Sequence, residues 1–523
     1  VRALSKLILA LALAAPPPSA AQNAPPAGLD GYVRRIMERF EVPGLSLAVV
    51  KDGEVVLARG YGVRRLGETG AVDPRTLFGI ASNTKFFTAT ALGMLVDEGK
   101  LEWDAPVVRY LPDFQMYDPW VTREITVRDI LVHRSGLGLG AGDLMFWPPS
   151  TFSRKELVQR LRFIPPATSF RSAYAYDNVL YAVAGEIVEA VSGRTWEEFV
   201  RTRILDPVGM AQSDVRLHHP DSVPNAAMTH ASVDGAVQPV EPYLGDVVNP
   251  AGGIFSNAED MARWLVTQLD SGRVSEARRI FSTGTTRQLW APVTPIPFGA
   301  PPPELEPLRH DFQFYALGLG VQDYRGHRIL THTGGLPGYL SRVTMVPDLK
   351  LGVVVLTNME SGEAFNSVVN GVLDHYMGAQ PFDWLDAYAA VKERADARLV
   401  SFLADQSSAR DTASRPSLPA ERYAGTYRDA WYGDVDITRE GGGLVVRFSR
   451  SPQLVGDLEH WQYDTFLVRW RLRELRADAF ITFALNPDGS IERALMEPAS
   501  PAVDFSFDFQ DLLLRPVDGR GGG

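Results

Sequence analysis

Strand-like text opens and closes the stretch between residues 44 and 356, and helix-like text fills the space between. Residues 44–50 and 55–58 are β-rich runs joined through Asp52-Gly53, a pair that favours a tight hairpin turn. Helical periodicity with Gly and Pro punctuation dominates from 82 to 269, over 126–131, 179–191, 196–204 and 258–269, after an earlier helical run at 29–40. Strands return at 315–319, 327–331, 340–346 and 352–356. A chain that begins and ends in strands needs a sheet shared by both ends, so the pattern predicts one α/β unit with a helical insertion.

The text changes character further on. Residues 404–419 are rich in Ser, Ala, Arg, Asp and Pro, the composition of a linker. Short alternating runs follow at 423–427, 434–439, 444–448, 457–461, 465–470, 480–485, 491–496 and 503–509. Strands so evenly spaced predict an all-β antiparallel barrel or sandwich. At 523 residues the chain exceeds one compact core. The expected division is 1–21 as export signal, 22–403 as the α/β unit, 404–419 as linker and 420–518 as the barrel.

The signal rests on Arg2 and Lys6 before the apolar run 7–15, with Ser19-Ala20-Ala21 as a small-residue cleavage site. It implies a periplasmic or secreted protein. That apolar run is short for a bilayer and no later run reaches the length of a membrane helix, so no membrane span is expected. The 52 basic and 63 acidic side chains give a net charge of -11 without a long Lys/Arg run, which argues against a nucleic-acid partner. The absence of cysteine removes disulfides and thiol nucleophiles. The histidines, His218-His219 included, lack zinc-ligand spacing, so neither metal nor cofactor is expected.

Ser82-Asn83-Thr84-Lys85 is the chain's Ser-x-x-Lys, placed where a strand gives way to an almost wholly apolar helix. Residues three apart are helix neighbours, so a hydroxyl and an amine share one face of the first turn. The positive end of the helix dipole and burial both disfavour a protonated Lys85, which as a free amine could take the proton of Ser82. The alternative is a Ser82 cap with Lys85 reaching water. Tyr176-Asp177-Asn178 precedes the helix beginning at 179. There the phenol could shuttle a proton if positive charge lowers its pKa, and the amide could hold a substrate carbonyl; the alternative is a capping Asp or Asn and a packing aromatic. His332-Thr333-Gly334-Gly335 runs from a strand into a glycine-rich edge that a ligand can approach closely, against a satisfied core histidine as the alternative. Gly44-Leu45-Ser46-Leu47-Ala48 comes near a G-x-S-x-G elbow but ends in Ala, and Ser46 falls in a strand, so it is set aside as a nucleophile.

Together, and in this order, Ser82-x-x-Lys85, Tyr176-x-Asn178 and His332-Thr333-Gly334 resemble the three motifs of the serine β-lactamase and penicillin-binding-protein superfamily, in its class C and peptidase S12 branch. Flanking text such as His133-Arg134-Ser135-Gly136-Leu137 and Pro250-Ala251-Gly252-Gly253 extends the likeness. The resemblance implies an antiparallel sheet flanked by helices with a helical subdomain. It implies Ser82 as acylated nucleophile, Lys85 as its base and Tyr176 as proton shuttle to the leaving group. It further implies Asn178, His332, Thr333, Gly334 and Gly335 as substrate-binding residues, with the N–H groups of Ser82 and Gly335 as oxyanion hole. The C-terminal text, with Asp504-Phe505-Ser506-Phe507-Asp508-Phe509 among it, resembles the lipocalin-like domain fused to many such hydrolases, some of which form homo-oligomers; His460 and Trp461 are expected to pack in that barrel.

Many β-lactamases carry Lys where this chain has His332, and an unperturbed histidine is mostly neutral at pH 7. The expectation is therefore an exported serine hydrolase cleaving amide bonds of small peptides, D-residue-containing or linearised cyclic ones included. The alternatives are a carboxylesterase or weak β-lactamase on the same site, and a catalytically inactive peptide-binding protein.

Overall fold

Asp52 and Gly53 both take positive φ, 53° and 85°, as the tight turn of a twisted hairpin requires. That turn joins Gly44–Lys51 to Glu54–Gly62 at one edge of an eight-stranded antiparallel sheet. A computed structural model describes residues 23–233, 235–242 and 245–517; the expected export signal lies outside them. Across the sheet the order is Glu54–Gly62, Gly44–Lys51, Leu351–Thr357, Tyr339–Val346, His327–Leu336, Gly320–Tyr324, Gln313–Tyr315 and Thr294–Pro295. Pairing of Gly44–Lys51 with Leu351–Thr357 closes the long helical excursion, as the two-ended strand pattern predicts.

Both faces of the sheet are covered, which is why Gly44–Lys51 is apolar along almost its whole length. Leu45, Leu47 and Val49 enter one core with the helices Leu29–Arg39, Gly362–Tyr376 and Trp384–Ser408. Ala48 and Val50 point into the other, shared with Thr84–Asp97 and Ala258–Leu269. Thr84–Asp97 is buried from Thr84 to Leu95 without a polar face, the mark of a central helix. Phe87 stacks on Trp264, ring centroids 4.1 Å apart.

Eight further strands from Gly425–Asp429 to Leu513–Pro516 close into a barrel, which excludes the sandwich alternative. Trp461 packs against Phe480 and His460 against Phe466, as expected of barrel residues.

Several expected elements differ. The strand read at 315–319 is instead two strands around a tight turn, with Ala316 N–H donating to Leu319 O at 2.7 Å and Gly318 at φ 79°. A Cβ on Gly318 would lie 2.8 Å from Lys85 O, so this apolar turn packs onto the central helix. Of 126–131 only Asp129–Leu131 is helical, and the helix read at 196–204 changes to a π-turn at Arg201–Leu205. Helix Trp384–Ser408 runs into the expected linker, because Ala, Asp, Gln and Ser do not break a helix until the Pro-containing text begins. The run 503–509 is not a strand: it forms an irregular loop ending in the turn Phe509–Asp511, and the eighth strand is Leu513–Pro516.

Candidate active site

Ser82 sits in the 3₁₀ turn Ala81–Asn83 that leads into the central helix. The turn is held from the sheet. Ser341 Oγ donates to Ile80 O at 2.7 Å and accepts from Asn83 Nδ2 at 2.8 Å. Gly334 lets the strand come this close, since a Cβ there would meet Ile80 O at 2.2 Å. Ala81 takes φ 49°, a left-handed conformation costing a non-glycine residue about 1 kcal/mol. The side chain of Ser82 thereby faces the cavity.

Lys85 is fully buried, so the alternative in which it reaches water fails. Its Nζ donates to Asn178 Oδ1 at 2.7 Å, Ala251 O at 3.1 Å and Ser82 Oγ at 3.1 Å. Burial drives its pKa down to about 7, partly opposed by the negative charge of Asp143 and Asp177. Tyr176 lies beside it, Nζ 4.9 Å from the ring centroid. Burial pushes the phenol well above its ordinary value, and the hydrogen bond with Ser82 offsets only part of that. Tyr176 is thus held as a neutral phenol, burial outweighing any lowering of its pKa by nearby positive charge.

Asn178 stands at the start of helix Val179–Ser192 but makes no side-chain cap. Both ends of its amide are engaged: Oδ1 accepts from Lys85, and Nδ2 donates to Asp143 Oδ2 at 2.8 Å. It orients the amine and the buried carboxyl, and its side chain also lies on the cavity wall.

The strand Gly320–Tyr324 pairs with His327–Leu336 only as far as Thr331, whereas Tyr339–Val346 pairs along it to Leu336. From His332 onward one backbone edge is therefore unpaired by any strand among the described residues and lies along the cavity, a place for an extended ligand to add. His332 Nδ1 lies 2.5 Å from Thr333 O, and its Nε2 lies 2.8 Å from Tyr315 Oη. A carbonyl only accepts, so the ring proton is on Nδ1 and Nε2 accepts from Tyr315. Burial first, then the charge of Lys85, lowers His332 to about 3. It is a neutral acceptor.

These residues line a cavity of about 550 Å³ with apolar walls from Phe146, Trp147, Leu217, Ile296, Leu336 and Phe505. Ser82, Tyr176, Asn178, His332, Thr333 and Gly335 are all on its surface, while Lys85 and Gly334 lie behind it. Arg342, directly across the strand pair from Thr333, is also on the wall. It donates to Asn366 and, at 3.4 Å, to Thr331 Oγ1, with no carboxylate partner among the described residues, and burial lowers its pKa.

Sequence reasoning missed Arg342, Asp143, Tyr315 and the part played by His133. His133, at φ 56°, accepts from Asp177 N–H at 3.1 Å and lies 4.3 Å from the Tyr176 ring, centroid to centroid. The His133-Arg-Ser-Gly-Leu137 text was its signal. Also missed were Phe505 and Ser506, barrel residues that reach the cavity; their even alternation with Asp504 and Asp508 reads as a strand.

A family model described as Beta-lactamase matches residues 29–375, and a second, a domain of unknown function (DUF3471), matches 409–516. Unguisins hydrolase ungD of Aspergillus violaceofuscus is 29% identical over 503 residues, 89% of this chain and 87% of the fungal protein. The octameric penicillin-binding protein homologue from Pyrococcus abyssi shares the fold with TM-score 0.58 at 21% identity, over 90% of this chain and 97% of that one. D-amino acid amidase from Ochrobactrum anthropi SV3 does so with TM-score 0.56 at 23% identity, over 67% of this chain and 99% of its own. With one family matched from Leu29 to His375, through the Ser82, Tyr176 and His332 segments, the chain belongs to the β-lactamase and penicillin-binding-protein superfamily and is a serine hydrolase.

Proposed function

We propose that this hydrolase cleaves amide bonds of small peptides through an acyl-Ser82 intermediate. The observation that carries the reading is the buried Lys85 amine, at about pKa 7, hydrogen-bonded to the Ser82 hydroxyl. As Ser82 Oγ attacks the carbonyl carbon, Lys85 Nζ takes its proton, and the carbonyl π pair moves to oxygen. The N–H groups of Ser82 and Gly335 are the proposed donors to that oxyanion. When the tetrahedral species collapses the C–N bond breaks, Tyr176 gives its phenolic proton to the leaving nitrogen, and Lys85 returns a proton to Tyr176. Water then repeats the sequence on the ester.

An amide substrate is favoured over a β-lactam held by its carboxylate, because His332 is neutral. The cation on the wall is Arg342, so a peptide acid group would be met beside Thr333 and Arg342 rather than at His332. A fungal relative named as an unguisins hydrolase and a fold neighbour named as a D-amino acid amidase support the amide class. Homo-oligomerisation is proposed on the octameric relative and is read by light scattering.

The test is a hydrolysis screen of D- and L-amino acid amides, short peptides, p-nitrophenyl esters and nitrocefin, with Ser82→Ala as control. Amide turnover that vanishes in Ser82→Ala supports the proposal. Preference for esters or nitrocefin over every amide replaces it with the esterase or β-lactamase reading.

A further inference from the structure

The barrel reaches into the acyl-transfer site. In the loop before Phe509–Asp511, Ser506 Oγ donates to Asp143 Oδ2 at 2.8 Å, the same oxygen that accepts from Asn178 Nδ2. The path runs on through Asn178 Oδ1 to Lys85 Nζ and from there to Ser82 Oγ. Four hydrogen bonds join a barrel hydroxyl to the nucleophile.

The loop is built to hold that geometry. Asp508, fully buried, accepts from Gly142 N–H at 2.6 Å and Leu144 N–H at 2.9 Å, so it grips the backbone on both sides of Asp143. Ser506 N–H is fixed by Asp504 Oδ1 at 2.9 Å. Phe507 and Phe509 stack on each other, and Phe509 stacks on Trp470 in the barrel interior. Phe505 sets its ring edgewise to Tyr176, centroids 6.0 Å apart. Its carbonyl would lie 2.6 Å from a Cβ at position 140, where Gly140 leaves room.

We propose that Ser506 is a positioning residue for acyl transfer: its hydroxyl holds the Asp143 carboxylate that orients Asn178 and, through it, the Lys85 amine. The inference rests on the acyl-serine reading above. Among the described residues Asp143 Oδ1 is buried without a hydrogen-bond partner, so Oδ2 carries the side-chain hydrogen bonds that fix the group. Ser506 and Asn178 favour the carboxylate against burial, which pushes Asp143 well above the usual range, and that carboxylate favours a proton on Lys85. The groups facing Lys85 are Asp143, Asp177, Tyr176, Tyr181, His133 and His332; those facing Asp143 also include Asp504 and Asp508. Loss of the Ser506 hydroxyl therefore favours neutral Asp143 beside neutral Lys85, and the amine becomes available at lower pH.

The experiment is the pH dependence of Ser82 modification by a fluorophosphonate, followed by intact mass, in wild type, Ser506→Ala and Ser506→Thr. In Ser506→Ala the acidic limb moves to lower pH, the plateau rate falls because Asn178 is less well held, and Ser506→Thr restores both. Asp143→Asn, which removes the charge and keeps the shape, moves the limb the same way. A limb unmoved in Ser506→Ala and Asp143→Asn overturns the inference, even with a lowered plateau, since packing alone would lower the rate without moving the limb. Absence of any wild-type adduct overturns the acyl-serine reading and this inference with it.

Discussion

At Lys85 the fold holds an amine inside an apolar helix, and the same burial that lowers its pKa to about 7 bears on stability. The sign follows from proton counting. Between the folded value and the unfolded value of about 10.4, the unfolded chain binds the proton and the folded chain does not, so stability rises with pH across that window. Below about 7 the penalty is fully present. We expect Lys85→Met to lose this dependence, so that its stability relative to wild type falls by about 2–3 kcal/mol between pH 7 and pH 9. Urea denaturation of both proteins at the two pH values measures it; parallel pH profiles would mean that Lys85 is not a depressed amine. The Lys85 position was legible because helix phase and apolar neighbours declare burial. The protonation of Tyr176 was not, since it follows from burial of the phenol by elements distant in sequence, nor was the double engagement of Asn178, which depends on Asp143.

The elements that carry the motifs meet through close contacts that glycine permits. Strand His327–Leu336 reaches the Ser82 turn at Gly334, where a Cβ would sit 2.2 Å from the Ile80 carbonyl, a backbone atom that a rotamer change cannot move. We expect Gly334→Ala to push strand and turn apart and to slow Ser82 modification by roughly 100-fold while circular dichroism keeps the wild-type spectrum. An unaltered rate would show that the strand does not position the nucleophile. Element type was readable wherever period and length agreed, as at Ala258–Leu269 and Thr465–Trp470. It failed at 503–509, where Phe505, Phe507 and Phe509 alternate with Asp504, Ser506 and Asp508 at the period of a strand. There Ser506 and Asp508 are buried and satisfy groups of the other folded unit, and of the three polar residues only Asp504 is exposed. No single-sequence pattern separates these two uses of a period of two.

Over the whole molecule, the sheet unit and the barrel share one continuous apolar core and a polar seam. Thr151 N–H donates to Arg450 O at 2.8 Å, Arg160 Nη1 to Trp431 O at 2.9 Å, and Phe152 packs edgewise on Tyr432. Separate folding of the two units would break both. Calorimetry is expected to show one unfolding transition, and Asp508→Ala, which strips the partner from two buried N–H groups, to destabilise the whole chain by about 2–4 kcal/mol. Two resolved transitions in wild type would contradict a shared core. The likeness to fused barrels predicted the barrel's presence, but its loop in the active site could be seen only once the two units were placed together.

The most direct test is the rate of Ser82 acylation by a fluorophosphonate between pH 5 and pH 10 in the wild-type protein. Lys85 as a buried free amine gives a rate that rises through a single ionisation near pH 7 to a plateau, with the adduct mass absent from Ser82→Ala. A rate still climbing through pH 9, as an ordinary lysine would give, or an adduct retained in Ser82→Ala, would contradict it.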